Sequence, residues 1–517
     1  MAGDAPRQAP TESIWARELD DESAVLALAK DVAELVEPGD LVTLSGDLGS
    51  GKTTFARALI RLLVGEPDLE VPSPSFVLVQ AYEGGAYPIV HADFFRIKNA
   101  DELVELGWDE ACDGALVLVE WPERAQSALK LDRLDISFAI DRERGPNFRA
   151  AALTGFGAFA ARLAKAKAVH GILARSGWSR ARRLFMQGDA STRAYERLVR
   201  PDGLSAVLMI SPPRPDGPPL RYGKPYSAIA KLAEDIRPFL AIDQGLRRQG
   251  FSAPQIIAYD IDAGLAILED LGDQPIVGPD GVNQERYAWA ATALAALHRA
   301  DLPESLPLED DTYRIPSYDL DALAIEIELL LDWYAPHVAG AQIASGAKAN
   351  FVNLWRKALQ DIVAARATWT LRDYHSPNLI WLSDREGVGK IGMLDFQDCV
   401  LGHPAYDVAS LLQDARIDVP DLIELKLLSH YARLRREADA EFDMAEFARA
   451  YAVLGAQRAT KILGIFTRLD RRDHKPDYLR HLPRVEKYLA KDLSHPVLAD
   501  LKIWYETHLP RIFGPAS

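Results

Sequence analysis

Residues 41–54, LVTLSGDLGSGKTT, decide the fold of the N-terminal part of this sequence. They fit the pattern G-x-x-x-x-G-K-[ST], with an apolar, strand-like run before the pattern and a helix-forming stretch, Thr53 to Leu63, after it. Glycines let the backbone wrap so that successive N–H groups and the helix N-terminus face phosphate oxygens. In such a loop Lys52 reaches the β- and γ-phosphates of ATP, and the Thr53 hydroxyl ligates Mg²⁺. Strand, loop and helix in this order favour a phosphate-binding loop over a glycine-rich turn closed by a surface lysine.

The sequence around this loop, from Ile14 to Ile140, alternates helical stretches with short apolar runs. The alternation predicts an α/β fold with a largely parallel sheet. Two of the apolar runs end in acids, Asp93 and Glu120. Because the carboxyl ends of parallel strands meet at one edge of a sheet, we expect both acids beside the Lys52 loop, although either could be an ordinary solvated carboxylate. His91 fits a packed core imidazole as well as a catalytic one.

Five short motifs of this region occur in order: GDLGSGKTTF at 46–55, VPSPSF at 71–76, HADFFR at 91–96, ELGWDE at 105–110 and EWPER at 120–124. Over about residues 11–165 they make the chain resemble the small ATPase subunit of the bacterial machinery that makes threonylcarbamoyladenosine in tRNA. The resemblance implies that Thr53 and Glu120 ligate Mg²⁺, that Asp93 supports the metal or a water, and that residues 73–76 act as a switch-like segment. The family usually has Thr where this sequence has Ser75, which keeps the hydroxyl.

The same resemblance implies partners. In that family, ATP hydrolysis resets a partner complex that contains the threonylcarbamoyl transferase. The domain is therefore expected to bind subunits of that complex, to meet tRNA only indirectly through them, and to be weak or silent alone.

A second group of polar residues lies in LRDYHSPN, residues 371–378, and GMLDFQD, residues 392–398. Transfer of a phosphoryl group to a hydroxyl needs an acceptor for the hydroxyl proton and oxygen ligands for Mg²⁺. Asp373, Asn378 and Asp395 have the spacing with which kinases supply these groups. A turn with Asx caps would explain the first two residues alone, but not the strand hairpin and the acid that follow them.

Three further polar side chains lie close to this group in the sequence. His375 fits a contact with substrate or phosphate as well as a structural role. His403, in GHPAYD, is expected to be structural, and Asp407 is expected to anchor the catalytic loop through hydrogen bonds.

Upstream, QGDASTRAY, residues 187–195, joins two predicted strands. A small-residue turn with Ser191 and Arg193 can close over phosphates much as a glycine-rich loop does, whereas a plain hairpin turn is the alternative. The segment LEDLG, residues 268–272, ends the strand-rich half where adenine would pair with backbone, which makes Glu269 a candidate for nucleotide binding.

The motifs GDASTRAY, AVLM, LEDLGD, LRDYHSPN, LDFQD and GHPAYDVASLLQDAR resemble the aminoglycoside phosphotransferase-like kinases over about residues 178–515. Within that superfamily they are most similar to the anomeric kinases of N-acetylmuramate and N-acetylglucosamine used in cell-wall recycling. The resemblance implies that Asp373 is the catalytic base and that Asn378 and Asp395 ligate Mg²⁺.

Two positions depart from the superfamily pattern. Leu371 stands where the loop usually begins with His, and Met209 stands where a lysine normally grips the α- and β-phosphates. The subgroup shares that methionine, so the grip on the phosphates must come from another residue, such as Arg193 or Lys224.

The whole chain has 517 residues, and at roughly 100–200 residues per domain this length predicts two or three domains. A hydrophobic content of 48% excludes global disorder, and a formal net charge of −16 argues against broad electrostatic binding to nucleic acid or anionic membrane. Cys112 and Cys399 lie too far apart in sequence to suggest a disulfide framework or a cysteine zinc site. No apolar segment approaches the ~20 residues that cross a bilayer, and the N-terminus has no apolar signal core, so we expect a cytoplasmic protein without a membrane partner.

Breaks in the pattern divide the chain into successive regions. They predict a disordered N-terminus at 1–12, an α/β P-loop ATPase domain at 13–165, a linker at 166–178 and an α+β bilobed, kinase-like aminoglycoside phosphotransferase domain at 179–517. The strand-rich small lobe is expected at about 179–272 and the helical lobe at about 273–517.

The two resemblances together imply a bifunctional enzyme that uses ATP and Mg²⁺. One part would support threonylcarbamoyl modification of tRNA, and the other would phosphorylate the anomeric hydroxyl of N-acetylmuramate or N-acetylglucosamine. Two alternatives remain for the second part: another small hydroxyl substrate, such as choline, homoserine or an aminoglycoside, or a non-catalytic binding module. The predicted catalytic residues are Asp373, Glu120 and Asp93; the predicted nucleotide-binding residues are Gly46, Gly49, Ser50, Gly51, Lys52, Thr53, Thr54, Ser191, Arg193 and Glu269; the predicted metal ligands are Thr53, Glu120, Asn378 and Asp395.

Overall fold

The computed structural model describes residues 12–98, 101–105, 107–186, 193–213 and 217–514, without the side chains of residues 104, 105 and 128. The chain separates into two units, residues 1–179 and residues 180–517. The predicted disordered N-terminus, 1–12, lies outside the described residues except for Glu12, which begins the first strand.

The first unit alternates strands and helices along the chain, in keeping with the predicted α/β fold. Its strands are β1 (Glu12–Leu19), β2 (Leu41–Ser45), β3 (Val79–Tyr82), β4 (Ile89–Asp93), β5 (Leu116–Glu120), β6 (Arg133–Ile140) and β7 (Arg149–Phe156). Its helices are α1 (Glu22–Ala33), α2 (Lys52–Val64), α3 (Asp101–Glu105), α4 (Trp108–Cys112) and α5 (Ala158–Arg175).

Within the described residues these strands form one sheet in the order β1-β7-β6-β2-β5-β4-β3. The centre is parallel, because β2 pairs with β5 and β6 in parallel and β4 pairs with β5 in parallel. Both flanks are antiparallel, since β7 pairs with β1 and β6, and β3 pairs with β4. The expectation of a largely parallel sheet therefore holds only for the centre, because β6–β7 and β3–β4 connect by short turns without a crossover helix.

The centre of the sheet explains why the run before the phosphate-loop motif is apolar. Strand β2 lies between two neighbours, and its first four residues are buried. Helix α2 then packs a face that includes Phe55, Leu59 and Ile60 into the core, in keeping with the spacing of apolar residues on an amphipathic helix. The motif is thereby held at the carboxyl end of a buried strand.

The predicted linker, 166–178, is not an extended connection. Residues 166–175 continue α5, where Val169, Ile172 and Leu173 are buried. The ring of His170 packs at 5.2 Å from the ring of Trp15, so this helix belongs to the first unit. The Ala- and Lys-rich composition that suggested a linker is typical of a helix with one solvated face.

The second unit begins with strands and continues mainly with helices. Its strands are β8 (Arg182–Met186), β9 (Ala194–Val199), β10 (Ser205–Ile210), β11 (Ile256–Asp260), β12 (Leu265–Glu269), β13 (Val277–Gly278), β14 (Gly281–Val282), β15 (Ser305–Leu308), β16 (Asp311–Arg314), β17 (Thr368–Thr370), β18 (Leu379–Trp381), β19 (Ile391–Met393) and β20 (Val400–Gly402). Its helices are α6 (Tyr226–Ala230), α7 (Arg237–Arg248), α8 (Gln284–Arg299), α9 (Leu320–Leu329), α10 (Ala335–His337), α11 (Ser345–Ala364), α12 (Ala405–Leu412), α13 (Asp421–Ala438), α14 (Met444–Asp473), α15 (Leu482–Leu493) and α16 (Ala499–His508).

The strand-rich lobe carries an antiparallel sheet in the order β11-β12-β10-β9-β8. The sequence pattern predicts one helix from about Tyr226 to Gln249, but two helices form there, α6 and α7. Lys231 adopts a left-handed conformation with φ of 58° and ends α6. The Ala233 N–H then donates to Asp398 Oδ1 at 2.7 Å, which fixes the break against the helical lobe.

The helical lobe is built around α14, which spans 30 residues and is buried along much of its length. It packs against α9, α12 and α15. The short hairpin of β18 and β19 follows the segment 371–378 and leads directly into Asp395. The two polar motifs of this lobe are therefore adjacent in space. No helix in the described part of the chain is long and apolar enough to cross a membrane.

Candidate functional sites

Lys52 lies inside the glycine loop of the first unit and contacts the loop itself. Its ammonium donates to the carbonyl oxygens of Gly46 at 2.7 Å and Asp47 at 3.0 Å. The nitrogen also lies 3.9 Å from the centre of the Trp121 ring. Burial lowers the pKa of Lys52, although the carboxylate of Glu120 opposes this shift. The Lys52 ammonium is thus held by carbonyl oxygens of the loop, in the place where a negatively charged ligand would bind.

Thr53 and Glu120 meet at the carboxyl end of the parallel strands. The Thr53 hydroxyl donates to Glu120 Oε2 at 2.9 Å, and His91 Nε2 lies 3.0 Å from Glu120 Oε1. His91 is fully buried, so it is a packed imidazole that orients Glu120. A hydroxyl and a carboxylate oxygen beside a phosphate-binding loop are the ligand type that Mg²⁺ prefers, and this pair fits such an ion.

Asp93 lies beside Glu120, since the two residues pair in register at the ends of β4 and β5. Its Oδ2 accepts from the Ser73 hydroxyl at 2.7 Å, and its Oδ1 accepts from the Phe95 N–H at 2.9 Å. Asp93 therefore ties the segment 73–76 to the site. Phe76, at the end of that segment, is 81% exposed, which leaves the segment's tip open to solvent.

The remaining predicted residues of the loop divide between backbone and side-chain positions. Gly46, Gly49 and Gly51 all have positive φ, of 126°, 77° and 108°. Ser50 is fully buried, and its hydroxyl oxygen has no hydrogen-bond partner among the described residues. An orphaned hydroxyl in this position fits a loop that binds a polar ligand. Thr54 lies in the first turn of α2 and lines a groove between α1 and α2.

Asp373, Asn378 and Asp395 come together in the second unit. Asn378 Nδ2 donates to the Asp373 carbonyl at 2.9 Å, and the Leu394 N–H donates to the Asn378 carbonyl at 2.9 Å. The Asp373 and Asp395 side chains are 37% and 39% exposed, so both carboxylates are open to a ligand. Asp395 has a left-handed φ of 56°, a strained conformation that recurs at functional sites.

The charges around the two carboxylates differ. Burial would raise the pKa of the Asp373 carboxyl, but Lys461 and other nearby cations hold it below its ordinary value. Burial and the charge of Asp373 raise the pKa of Asp395. The Asn378 amide oxygen and the second carboxylate oxygen of Asp395 have no partner in the described part of the chain. These oxygens are donors of the type that Mg²⁺ takes.

Asp407 anchors the loop at 371–378 through hydrogen bonds, as the sequence predicted. Its Oδ2 accepts from the Leu371 N–H at 2.7 Å, and its Oδ1 accepts from the Arg372 N–H at 2.8 Å. Glu326 and Lys461, which the sequence motifs did not reveal, support the loop through Arg372. Arg372 forms an ion pair with Glu326, and Lys461 Nζ lies 3.1 Å from the same carboxylate. The only sequence signal for Glu326 and Lys461 was a charged residue within a largely apolar helical segment.

Arg193 and Ser191 were expected to grip phosphates. Arg193 Nη1 donates to Asp395 Oδ1 at 3.0 Å, so it does reach the site, whereas Ser191 lies outside the described residues. Met209 is fully buried in the core, as expected for a position without the usual lysine. Lys224, the other candidate for the grip, is exposed.

Glu269 contacts other parts of the protein through its carboxylate and its backbone N–H. Its Oε1 accepts from Arg385 at 2.5 Å, and its Oε2 accepts from the Gln255 N–H at 3.0 Å. Its own N–H donates to the Gln255 carbonyl at 2.8 Å. The carboxylate and the N–H of Glu269 are thus used within the protein, and a role of its backbone carbonyl in nucleotide binding stays a prediction.

Two histidines near the loop have different environments. His375 is 6% exposed, its Nε2 lies 3.9 Å from Asp373 Oδ1, and burial holds its pKa well below the ordinary value. His403 Nδ1 accepts from the Ala405 N–H at 3.2 Å, and burial lowers its pKa to about 4. His403 therefore has the structural role that was expected, and His375 is a neutral neighbour of Asp373.

Comparison with known proteins finds a family for each of the two units. Residues 19–147 match the family described as threonylcarbamoyl adenosine biosynthesis protein TsaE, and residues 183–451 match the phosphotransferase enzyme family. The chain is 38% identical over 350 residues to an N-acetylmuramate/N-acetylglucosamine kinase of Caulobacter vibrioides, across 65% of this chain and 95% of that protein. It is 38% identical over 127 residues to the tRNA threonylcarbamoyladenosine biosynthesis protein TsaE of Rickettsia conorii, across 24% of this chain and 72% of that protein. The chain belongs to both families.

The first unit is thus a TsaE unit and the second a phosphotransferase unit, which confirms both resemblances inferred from the sequence. Among solved structures, a Plasmodium vivax ethanolamine kinase is 13% identical with a TM-score of 0.44, across 66% of this chain and 90% of that one. The protein uses ATP, combining a P-loop ATPase unit with an ATP-dependent phosphotransferase that acts on a hydroxyl group.

Proposed function

We propose that the phosphotransferase unit transfers the γ-phosphoryl group of ATP to the anomeric hydroxyl of N-acetylmuramate or N-acetylglucosamine. The meeting of Asp373, Asn378 and Asp395 at one open site carries this proposal. The name of the Caulobacter vibrioides relative, which is similar over nearly its whole length, supports these sugars as acceptors.

The proposed reaction is a direct displacement at phosphorus. The anomeric oxygen bonds to the γ-phosphorus, the bond from that phosphorus to the leaving oxygen of ADP breaks, and the hydroxyl proton passes to the Asp373 carboxylate. The products are a sugar 1-phosphate and ADP. A low pKa keeps Asp373 ionised at neutral pH, and its anchoring through Asp407 fixes it for this proton transfer.

Mg²⁺ would be held by Asn378 and Asp395. A bound Mg²⁺ ion would neutralise part of the negative charge on the phosphates. Arg193, which reaches Asp395 from the strand-rich lobe, adds a positive charge where the missing small-lobe lysine would have acted.

The test is phosphorus NMR of the purified chain with Mg-ATP and each sugar, with choline, homoserine and an aminoglycoside in parallel. Asp373→Asn is the variant, and Lys52→Ala in the TsaE unit is the matched control. We expect a sugar 1-phosphate with the wild type and with Lys52→Ala, and none with Asp373→Asn. Transfer to another acceptor alone, or to none, would remove the proposal and favour a different substrate or a non-catalytic binding module.

We also propose that the TsaE unit hydrolyses ATP in support of threonylcarbamoyl modification of adenosine in tRNA. The contact of Thr53 with Glu120 beside the Lys52 loop carries this proposal. Lys52 would exchange its loop carbonyls for the phosphates, and Thr53 and Glu120 would hold Mg²⁺. Asp93 connects that site to the segment 73–76, a route by which the nucleotide state could reach a partner.

Partner subunits that contain the threonylcarbamoyl transferase are part of this proposal, as is contact with tRNA only through them. Because ATP and tRNA are the molecules involved, we propose a cytoplasmic location. Reconstitution of the modification with the transferase subunits and tRNA tests it. We expect multiple turnovers with the full chain and with Asp373→Asn, but a single round with Glu120→Gln. Equal activity of Glu120→Gln would exclude Glu120 from the ATPase site.

A further inference from the structure

Arg458 is a buried cation without a carboxylate partner in the part of the chain that the structure describes. The residue lies on α14 and is 5% exposed. Its hydrogen bond is from Nη1 to the Gln413 carbonyl at 3.3 Å. By contrast, Arg372 and Lys461 are similarly buried but share the carboxylate of Glu326. A buried charge without a counter-charge is costly, so the guanidinium of Arg458 is suited to bind an anion that arrives with a ligand.

Arg458 stands next to the catalytic loop. Gln413, its hydrogen-bond partner, precedes Asp414, whose carboxylate accepts from the Ser376 N–H at 2.9 Å and from the Ser376 hydroxyl at 2.6 Å. Ser376 lies three residues after Asp373 on the same loop. In addition, the charge of Arg458 is among those that lower the pKa of the Asp373 carboxyl. An anion bound at Arg458 would therefore belong to a molecule in the reaction site.

Arg458 comes from the helical lobe, whereas Arg193 approaches Asp395 from the strand-rich lobe. The nucleotide phosphates are expected near Asp395, so an anion at Arg458 is better explained as part of the acceptor. The planar guanidinium matches a carboxylate, which it can bind through two parallel hydrogen bonds. N-Acetylmuramate carries a lactyl carboxylate, and N-acetylglucosamine carries no charge.

We propose that Arg458 binds the lactyl carboxylate of N-acetylmuramate and so determines preference for a carboxylate-bearing sugar. The inference rests on the proposed sugar kinase function and adds the residue that distinguishes the two sugars. A cationic acceptor is disfavoured at this position by the same charge.

A structural role is the competing explanation. Gln413 is the residue at the C-terminal end of α12, and an arginine that donates to its carbonyl can stabilise that helix end. A purely structural arginine would affect the two sugars equally and would lower stability when it is replaced.

The experiment compares the wild type with Arg458→Met in steady-state kinetics on N-acetylmuramate, its lactyl methyl ester and N-acetylglucosamine. Arg449→Met is the matched control, because Arg449 lies on the same helix, is partly exposed and pairs with Asp361 on the surface. Arg458→Lys tests the charge without the planar geometry. Thermal unfolding of each variant accompanies the kinetics.

Loss of a charge-assisted hydrogen bond predicts that Arg458→Met raises the KM for N-acetylmuramate by about 10- to 100-fold. The KM values for the ester and for N-acetylglucosamine should stay near those of the wild type, and Arg458→Lys should recover part of the preference for the acid. Arg449→Met should leave all three KM values unchanged.

Two results overturn the inference in distinguishable ways. If the wild type phosphorylates both sugars and Arg458→Met changes them equally, Arg458 does not read the carboxylate and the kinase function stands. If the wild type phosphorylates neither sugar, the proposed function itself fails and the inference with it.

Discussion

Arg193 and Asp395 form an ion pair across the phosphotransferase unit, with Nη1 3.0 Å from Oδ1, although they are 202 positions apart in sequence. Arg193 immediately precedes β9 in the strand-rich lobe, and Asp395 follows β19 in the helical lobe. The pair therefore joins the two lobes at the proposed phosphate site. It also brings a guanidinium to a site where Met209 leaves no small-lobe lysine.

We expect Arg193→Gln to lower kcat/KM for ATP by about 10- to 100-fold, because a charged contact with the phosphates and with Asp395 is lost. Steady-state kinetics of sugar phosphorylation at varied ATP measures this effect. Arg200→Gln, at the partly exposed residue that directly follows β9, is the control and should retain the wild-type values. An unchanged kcat/KM in Arg193→Gln would assign the phosphate grip to another residue.

Gly46 and Gly49 offer a matched pair in the TsaE unit. A Cβ at Gly46 would lie 2.2 Å from the Phe138 carbonyl oxygen, whereas a Cβ at Gly49 would meet nothing within 4 Å. Gly46→Ala should therefore abolish ATP binding at this site. Gly49→Ala should destabilise the loop by only about 1–2 kcal/mol, through backbone strain at a positive φ.

Calorimetric titration of ATP into the Asp373→Asn chain, which binds ATP at two sites without turnover, shows whether each glycine variant loses one of the two binding events, with Lys52→Ala as the reference for loss at the glycine loop. Kinase activity of Gly46→Ala in the otherwise wild-type chain should be unaffected. Equal ATP affinity of the two glycine variants would contradict the close approach of the loop to β6.

Breaking the ion pair between Glu326 and Arg372 should destabilise the phosphotransferase unit. Glu326 is 1% exposed and also accepts from the Tyr318 hydroxyl at 2.6 Å, so Glu326→Gln leaves Arg372 and Lys461 buried without a counter-charge. We expect a loss of about 3–5 kcal/mol in the free energy of unfolding, measured in urea. Glu328→Gln, which removes a more exposed pair with Arg221, should cost at most about 1 kcal/mol. Similar losses of unfolding free energy in Glu326→Gln and Glu328→Gln would contradict the expectation that burial makes the loss of an ion pair costly.

Asp243 on α7 should make stability depend on pH. It is fully buried, both of its carboxylate oxygens have no hydrogen-bond partner among the described residues, and burial raises its pKa to about 8 from an ordinary value of 3.8. The folded state therefore binds the proton more tightly than the unfolded state does. This contribution to stability is complete below about pH 4 and is lost as the pH rises through about 8.

Calorimetric unfolding between pH 4 and pH 9 tests this dependence. Asp243→Asn should gain about 1.4 kcal/mol in unfolding free energy over the wild type for each pH unit between about pH 4 and the folded pKa of about 8, and no more above it. Asp280→Asn, in the exposed turn between β13 and β14, should follow the wild type. Parallel curves for the wild type and Asp243→Asn would show that Asp243 does not titrate with folding.

Local motifs were sufficient to predict both folds, and several of the residues that they single out lie together in each unit. The glycine loop at 46–51 and the spacing of Asp373 and Asn378 are contiguous in sequence, and backbone geometry alone brings such residues together. The prediction that Asp407 anchors the catalytic loop also succeeded, because it lies on the helix that directly follows this region.

Other features depended on contacts between distant segments. The sequence pattern does not show that Glu269 is used by Arg385, that α5 continues through the expected linker, or that α6 and α7 are separate. Periodicity reports which face of a segment is buried, but not which partner covers it.

Residue types at short, fixed spacings were enough to identify the two families and the chemistry of their loops. The compensation of buried charges became visible only in the folded chain. The carboxylate of Glu326 compensates the positive charges of Arg372 and Lys461. Arg458, in contrast, has no carboxylate partner among the described residues. Coulomb interactions act through space over a few ångströms, and partners such as Arg372 and Glu326 are 46 positions apart in sequence, so the residue pattern carries no information about their pairing.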